Sequence, residues 1–172
     1  MPIEQYLDPI LLVLVSTAAV NDLATRRIPN LLLLAGLGSA LGLRLLSADP
    51  AASLLAALGG IGLGFAMFLP FYLLRGMAAG DVKLMAVVGA FSDASEAFEI
   101  VVLTWCVGGV MALGMVLLRG RLRLALVNIG LLLSSIRGQG AAAPAPPLQH
   151  SAGAMPYGLA IAIGTIAVLL RH

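Results

Sequence analysis

The sequence predicts an all-α fold, a polytopic membrane bundle of about six helices with one further amphipathic helix on the cytoplasmic face. Three observations predict it. Of 172 residues, 60% are hydrophobic and only 10% charged, where a soluble domain carries roughly 25% charged residues. Mean hydropathy is +1.04. The apolar residues fall into six long runs, and the basic residues collect in alternate loops between them.

The first run, Leu7 to Ala24, has the position of a signal peptide. It lacks a basic start, carries Glu4 and Asp8 at its beginning and continues into a charged loop, so it reads as a retained helix. The second and third runs are Leu31 to Leu46 and Ala51 to Leu74. Pro70, with no amide hydrogen to donate, is placed to kink the third near its inner end. The fourth, Val82 to Phe91, is the shortest and gives the weakest span signal. Phe98 to Leu118 and Met155 to Leu170 complete the set. Runs shorter than the roughly 20 residues of a perpendicular span need snorkelling flanks or a locally thin bilayer.

Between the fifth and sixth runs, Leu122 to Ile136 is too short for a comfortable span, and residues 121–137 are expected to lie as an amphipathic helix on the inner surface. Residues 138–153, rich in Ala and Pro, read as an extended linker. Both lie within a single membrane domain, 1–172. Inside the runs, Gly60 with Gly64, Gly38 with Gly42, and Gly108 with Ala112 have the small-x-x-x-small spacing of close helix contacts. The Gly60-Ile61-Gly62-Leu63-Gly64 stretch lies in an apolar run and reads as packing, not as a phosphate loop.

Basic residues are retained preferentially in short cytoplasmic loops. An outside N-terminus puts Arg26, Arg27, Arg75, Lys83, Arg119, Arg121, Arg123 and Arg137 inside, and only Arg44 and Arg171 outside. The net charge of +2 therefore reflects topology. It suits anionic headgroups of a lipid bilayer, whereas scattered charges with few aromatics exclude a nucleic-acid footprint.

The same threading leaves six carboxylates outside and brings two, Asp22 and Asp81, to inner helix ends at similar depth. A carboxylate within a membrane segment costs on the order of 2.5–3.5 kcal/mol on insertion scales, so it usually faces a bundle interior or a watery cavity. Either Asp alone could be an interfacial cap or a partner of Arg26, Arg27 or Lys83. Two at one depth point to a paired-carboxylate site.

The residues around them resemble a known family. Asn21-Asp22-Leu23-Ala24-Thr25-Arg26-Arg27-Ile28-Pro29-Asn30 resembles the first aspartate motif of type IV prepilin peptidases, in which a basic loop and Ile-Pro-Asn follow the Asp. Gly80-Asp81-Val82-Lys83-Leu84-Met85 resembles the second, the Gly-x-Gly-Asp signature followed by Val-Lys-Leu. Met155-Pro156-Tyr157-Gly158 is similar to the start of that family's last helix. One position departs: Ala78 stands where the signature has its first Gly, which puts the local backbone before Asp81 in question, since Gly tolerates positive φ and Ala does so at a cost.

The resemblance implies a membrane aspartic endopeptidase of the bacterial inner membrane that removes the basic leader from prepilins or pseudopilins at the cytoplasmic face. Asp22 and Asp81 would be its catalytic pair, with Gly80, Lys83, Pro29, Asn30, Pro156, Tyr157 and Gly158 supporting the site or the substrate. The chemistry agrees: close carboxylates cannot both ionise easily, so one activates water while the other, protonated, donates to the scissile carbonyl. Such a pair titrates as a unit, so neither residue is assigned as acid or base. No metal and no cofactor are expected.

Larger relatives carry paired-cysteine motifs that accompany N-methylation of the product. This chain has one cysteine, Cys106, and cannot build a Cys₄ zinc site. It therefore resembles the short, peptidase-only branch associated with Flp-type pilins, without methyl transfer.

Other chemistries find less support. His150 lies in the linker and His172 is the last residue, which reads as solvated histidines. A serine-lysine peptidase would need Ser134 or Ser135 to reach Lys83, whose simpler reading is a snorkelling topology anchor. Trp105 and Tyr72 read as packing or interfacial residues. The alternative from another class is a small transporter or assembly subunit that uses Asp22 and Asp81 as proton or ligand sites.

Overall fold

The computed structural model describes residues 3–74, 76–118 and 156–171. Among them a short 3-10 helix, Ile3–Tyr6, leads into six α-helices: α1 (Leu7–Thr25), α2 (Asn30–Leu45), α3 (Pro50–Leu73), α4 (Ala79–Phe91), α5 (Ala94–Leu118) and α6 (Tyr157–Leu169). The fold is all helical, as expected. The amphipathic segment 121–137, the linker 138–153, Arg75, Ser134, Ser135, His150 and His172 lie outside the described residues.

The helix ends follow local chemistry. Asp49 caps α3 by accepting from the Ala52 amide at 3.1 Å, with Pro50 at the first helical position. Asp93 accepts from Glu96 at 2.8 Å at the start of α5. Arg26 ends α1 in the left-handed region at φ 56° and ψ 30°, a conformation that L-residues adopt at a cost. Pro29 supplies an extended residue before α2.

Among the described residues three helices are long and apolar enough to cross a membrane: α1, α3 and α5. The other three have 16, 13 and 13 residues. At 1.5 Å per residue, α4 is about 20 Å long, less than the roughly 30 Å hydrocarbon core. Among the described residues six α-helices coincide with the six apolar runs, and three of them reach spanning length.

The weakest span by sequence is the most enclosed helix. Nine residues of α4 are buried, including Asp81, Val82, Leu84, Met85 and Val88. Enclosed this way, α4 needs less length than a helix facing lipid. It lies against α3, where Gly60 and Gly89 bring the two backbones into direct contact. Four residues on, a Cβ at Gly64 would stand 2.6 Å from the Met85 carbonyl oxygen. The Gly60/Gly64 pair is thus a packing seam. Gly38 and Gly42 are not: among the described residues nothing stands within 4 Å of a Cβ at either, which corrects the expectation drawn from their spacing. α1 packs chiefly against α6, and Gly108 of α5 makes room for the Tyr157 hydroxyl.

The core runs through the middle of these helices, with Leu11, Val15, Phe68, Leu84, Met85, Ile100 and Ile161 essentially inaccessible. Large apolar residues on the outer faces are exposed, among them Leu55, Leu58 and Leu73 of α3. This inverted surface is consistent with an integral membrane protein. Contacts divide the chain into one unit of Met1–Gly108 with Pro156–His172, and a second of Gly109–Met155. The features below belong to the first.

Candidate active site

Both aspartates end a buried helical stripe. On α1 the buried positions run Leu11, Leu14, Val15, Ala18, Ala19 and then Asp22, the i, i+3, i+4 pattern of one face. On α4 the same pattern starts at Asp81 and continues through Leu84, Met85 and Val88. Each carboxyl therefore points inward, with only 6% of Asp22 and 5% of Asp81 accessible. The two are close enough to act on each other electrostatically.

Each is held by a helix N-terminus. Asp81 occupies the third position of α4, and its Oδ2 accepts from the Ala78 amide at 3.2 Å. This is the carboxylate half of a capping box. Ala78 itself has φ −82° and ψ 153°, ordinary extended backbone, so the departure from the Gly-x-Gly-Asp pattern carries no strain here.

Asp22 sits near the C-terminus of its own helix, where the macrodipole disfavours a negative charge. The compensation comes from α6. The Gly158 amide, at the second position of that helix, donates to Asp22 Oδ2 at 2.8 Å. A Cβ at Gly158 would stand 2.9 Å from the same oxygen, so only glycine allows the backbone this near.

Tyr157 precedes it, half-buried, with its ring edge-on to Phe68 at 5.9 Å, and it interacts electrostatically with Asp81. The structure thus brings Asp22, Asp81, Tyr157 and Gly158 to one place, with Pro156 buried at the α6 cap.

A family model described as the type IV leader peptidase family matches residues 9–113. The chain belongs to the type IV leader peptidase family. The match includes both aspartates and stops short of Pro156-Tyr157-Gly158, which the hydrogen bond to Asp22 connects to them. No curated protein and no solved structure matches the chain. Family membership makes a peptidase the general expectation for this site.

The remaining sequence-predicted residues form a neighbouring group. A Cβ at Gly80 would meet Ile28 at 3.6 Å, so the α1–α2 connection rests on the start of α4. Pro29 caps α2, and Asn30 Oδ1 accepts from Lys83 Nζ at 3.3 Å. Lys83 is two residues past Asp81, roughly 200° around the helix. It is exposed and serves the Asn30 contact. Among the described residues no group of three or more His, Cys, Asp or Glu side chains converges.

One residue escaped the sequence reading. Arg44, counted there as an outer rim charge, is buried at the last turn of α2. Its guanidinium donates to the carbonyls of Ala90 at 2.8 Å, Phe91 at 2.6 Å and Ser92 at 2.9 Å, and to that of Ser53 at 2.9 Å. These groups include the end of α4, whose carbonyls have no intrahelical partner and carry partial negative charge. Arg44 thus fixes one end of the helix whose other end bears Asp81.

Proposed function

We propose that this protein is an aspartic endopeptidase that cleaves the basic leader from Flp-type prepilins at the cytoplasmic membrane face, using Asp22 and Asp81 as a water-activating pair. The observation that carries this reading is the burial of both carboxyls within electrostatic reach of each other, each steadied by a backbone amide. Family membership supplies the reaction class.

The pair holds one proton between its two carboxyls. The ionised group removes a proton from water as the oxygen attacks the scissile carbonyl carbon. The protonated group donates to the carbonyl oxygen, and a tetrahedral diol forms. Collapse breaks the C–N bond as a proton passes to the departing amine. The amides of Ala78 and Gly158 hold the Oδ2 atoms, leaving Oδ1 of each carboxyl to water and substrate. Positioning of this kind supplies a large part of a hydrolytic rate enhancement. The single cysteine, Cys106 on α5, belongs to the reading of a peptidase without methyl transfer.

The test is incubation of the purified protein in detergent with an Flp-type prepilin, following loss of the leader by mass. Asp22→Asn and Asp81→Asn should each lower cleavage by at least about 10³-fold. Cleavage at the wild-type rate by either variant overturns the mechanism. Absence of cleavage combined with Asp-dependent proton flux in liposomes favours the transporter reading instead.

A further inference from the structure

A groove of about 450 Å³ opens between α2, α3 and α4, lined by Leu33, Leu34 and Leu37 of α2, Ile61 and Phe65 of α3, and Ala86 and Val87 of α4, with Asn30 and Lys83 at one end. It lies on the side of α4 turned away from Asp81, since Lys83, Ala86 and Val87 follow the face opposite the Asp81–Leu84–Met85–Val88 stripe. The aspartate pair does not use it.

We propose that this groove binds one anionic phospholipid, with its phosphate on Lys83 and Asn30 and its acyl chain along Leu33, Leu37, Phe65 and Val87. The polar groups are confined to one end. Lys83, the only lysine of the chain, makes one hydrogen bond among the described residues, to Asn30 Oδ1 at 3.3 Å, and an ammonium has three donors. The Asn30 amide is a further donor toward an anion. Arg27, exposed on the connection three residues before Asn30, adds positive charge at the same end. Basic pockets between membrane helices suit anionic headgroups in this way.

The distribution of polarity selects the occupant. An ammonium and an amide at one end, with seven apolar side chains along the rest, match an amphiphile that has an anionic head and a hydrocarbon tail.

Native mass spectrometry of the delipidated protein in detergent tests this, with phosphatidylglycerol, phosphatidylcholine of the same acyl chains, and glycerol phosphate added separately. Phosphatidylglycerol should bind as one retained molecule, at least tenfold tighter than phosphatidylcholine, and glycerol phosphate should not be retained. Lys83→Gln should lower the affinity about tenfold and Lys83→Arg should keep it. Ala86→Trp, which fills the groove from its middle, should lower retention of both lipids, with circular dichroism confirming an intact fold.

Equal retention of the two lipids, or full phosphatidylglycerol binding by Lys83→Gln, overturns the proposal. Displacement of the bound lipid by a prepilin helix also overturns it, by making the groove a substrate site. The readout is binding, so its outcome is separate from that of the cleavage assay.

Discussion

The Gly158 amide donates to Asp22 Oδ2 at 2.8 Å across 136 positions of sequence, joining the start of the last helix to the end of the first. The contact is a backbone one, and the missing side chain at Gly158 is what lets it form. A methyl there would press on Asp22 at Oδ2, 2.9 Å away, and at Cβ, 3.1 Å away. Gly158→Ala should therefore lower prepilin cleavage about 10²-fold, as expected for sub-ångström to 1 Å displacement of a reacting group, with helical circular dichroism unchanged. A wild-type rate would separate this contact from activity.

Ala78 is extended at φ −82°. Ala78→Gly should accordingly leave cleavage within about twofold of wild type and lower stability by no more than about 1 kcal/mol, the usual entropic effect of glycine. A tenfold gain in the cleavage assay would show that Ala78 holds Asp81 away from its best position.

Removing the Arg44 guanidinium strands the carbonyls of residues 90–92 in the core. Arg44→Met should lower stability by about 3 kcal/mol, the scale of losing charge-assisted hydrogen bonds to buried acceptors. Arg44→Lys should recover only part of it, since an ammonium cannot span the same fork of acceptors. Thermal unfolding in detergent measures both, and equal melting temperatures for all three proteins would refute the clamp.

Glycines of equal spacing should differ in effect. Gly60→Ala and Gly89→Ala insert a methyl between touching backbones and should each cost at least 1–3 kcal/mol, roughly the range for overpacking. Gly38→Ala and Gly42→Ala enter open space and should be neutral or stabilising by up to about 1 kcal/mol. The same unfolding assay ranks them, and a reversed order would relocate the α3–α4 seam.

Helices were legible in the sequence because the apolar residues fall into separate runs, with the basic residues collected in the loops between them. The aspartates were legible as carboxylates out of place among basic loops. Three features were not. Arg44 has the look of any basic residue at a helix end, and three of its acceptors are backbone carbonyls 46 to 48 positions away. Gly38 and Gly42 share one face of α2, but spacing says nothing of whether a neighbour occupies that face. The Gly158 amide belongs to the backbone, and a motif names only the side chain. The short fourth run gave a weak span signal because hydropathy measures length of apolar chain, whereas α4 is enclosed by other helices and contains Asp81.

The backbone contact of Gly60 with Gly89 joins α3 to α4, and the hydrogen bond from the Gly158 amide to Asp22 joins α6 to α1. Asp81 rides on one pair and Asp22 on the other. The site therefore straddles a seam between two helix pairs, and its geometry depends on the packing within both.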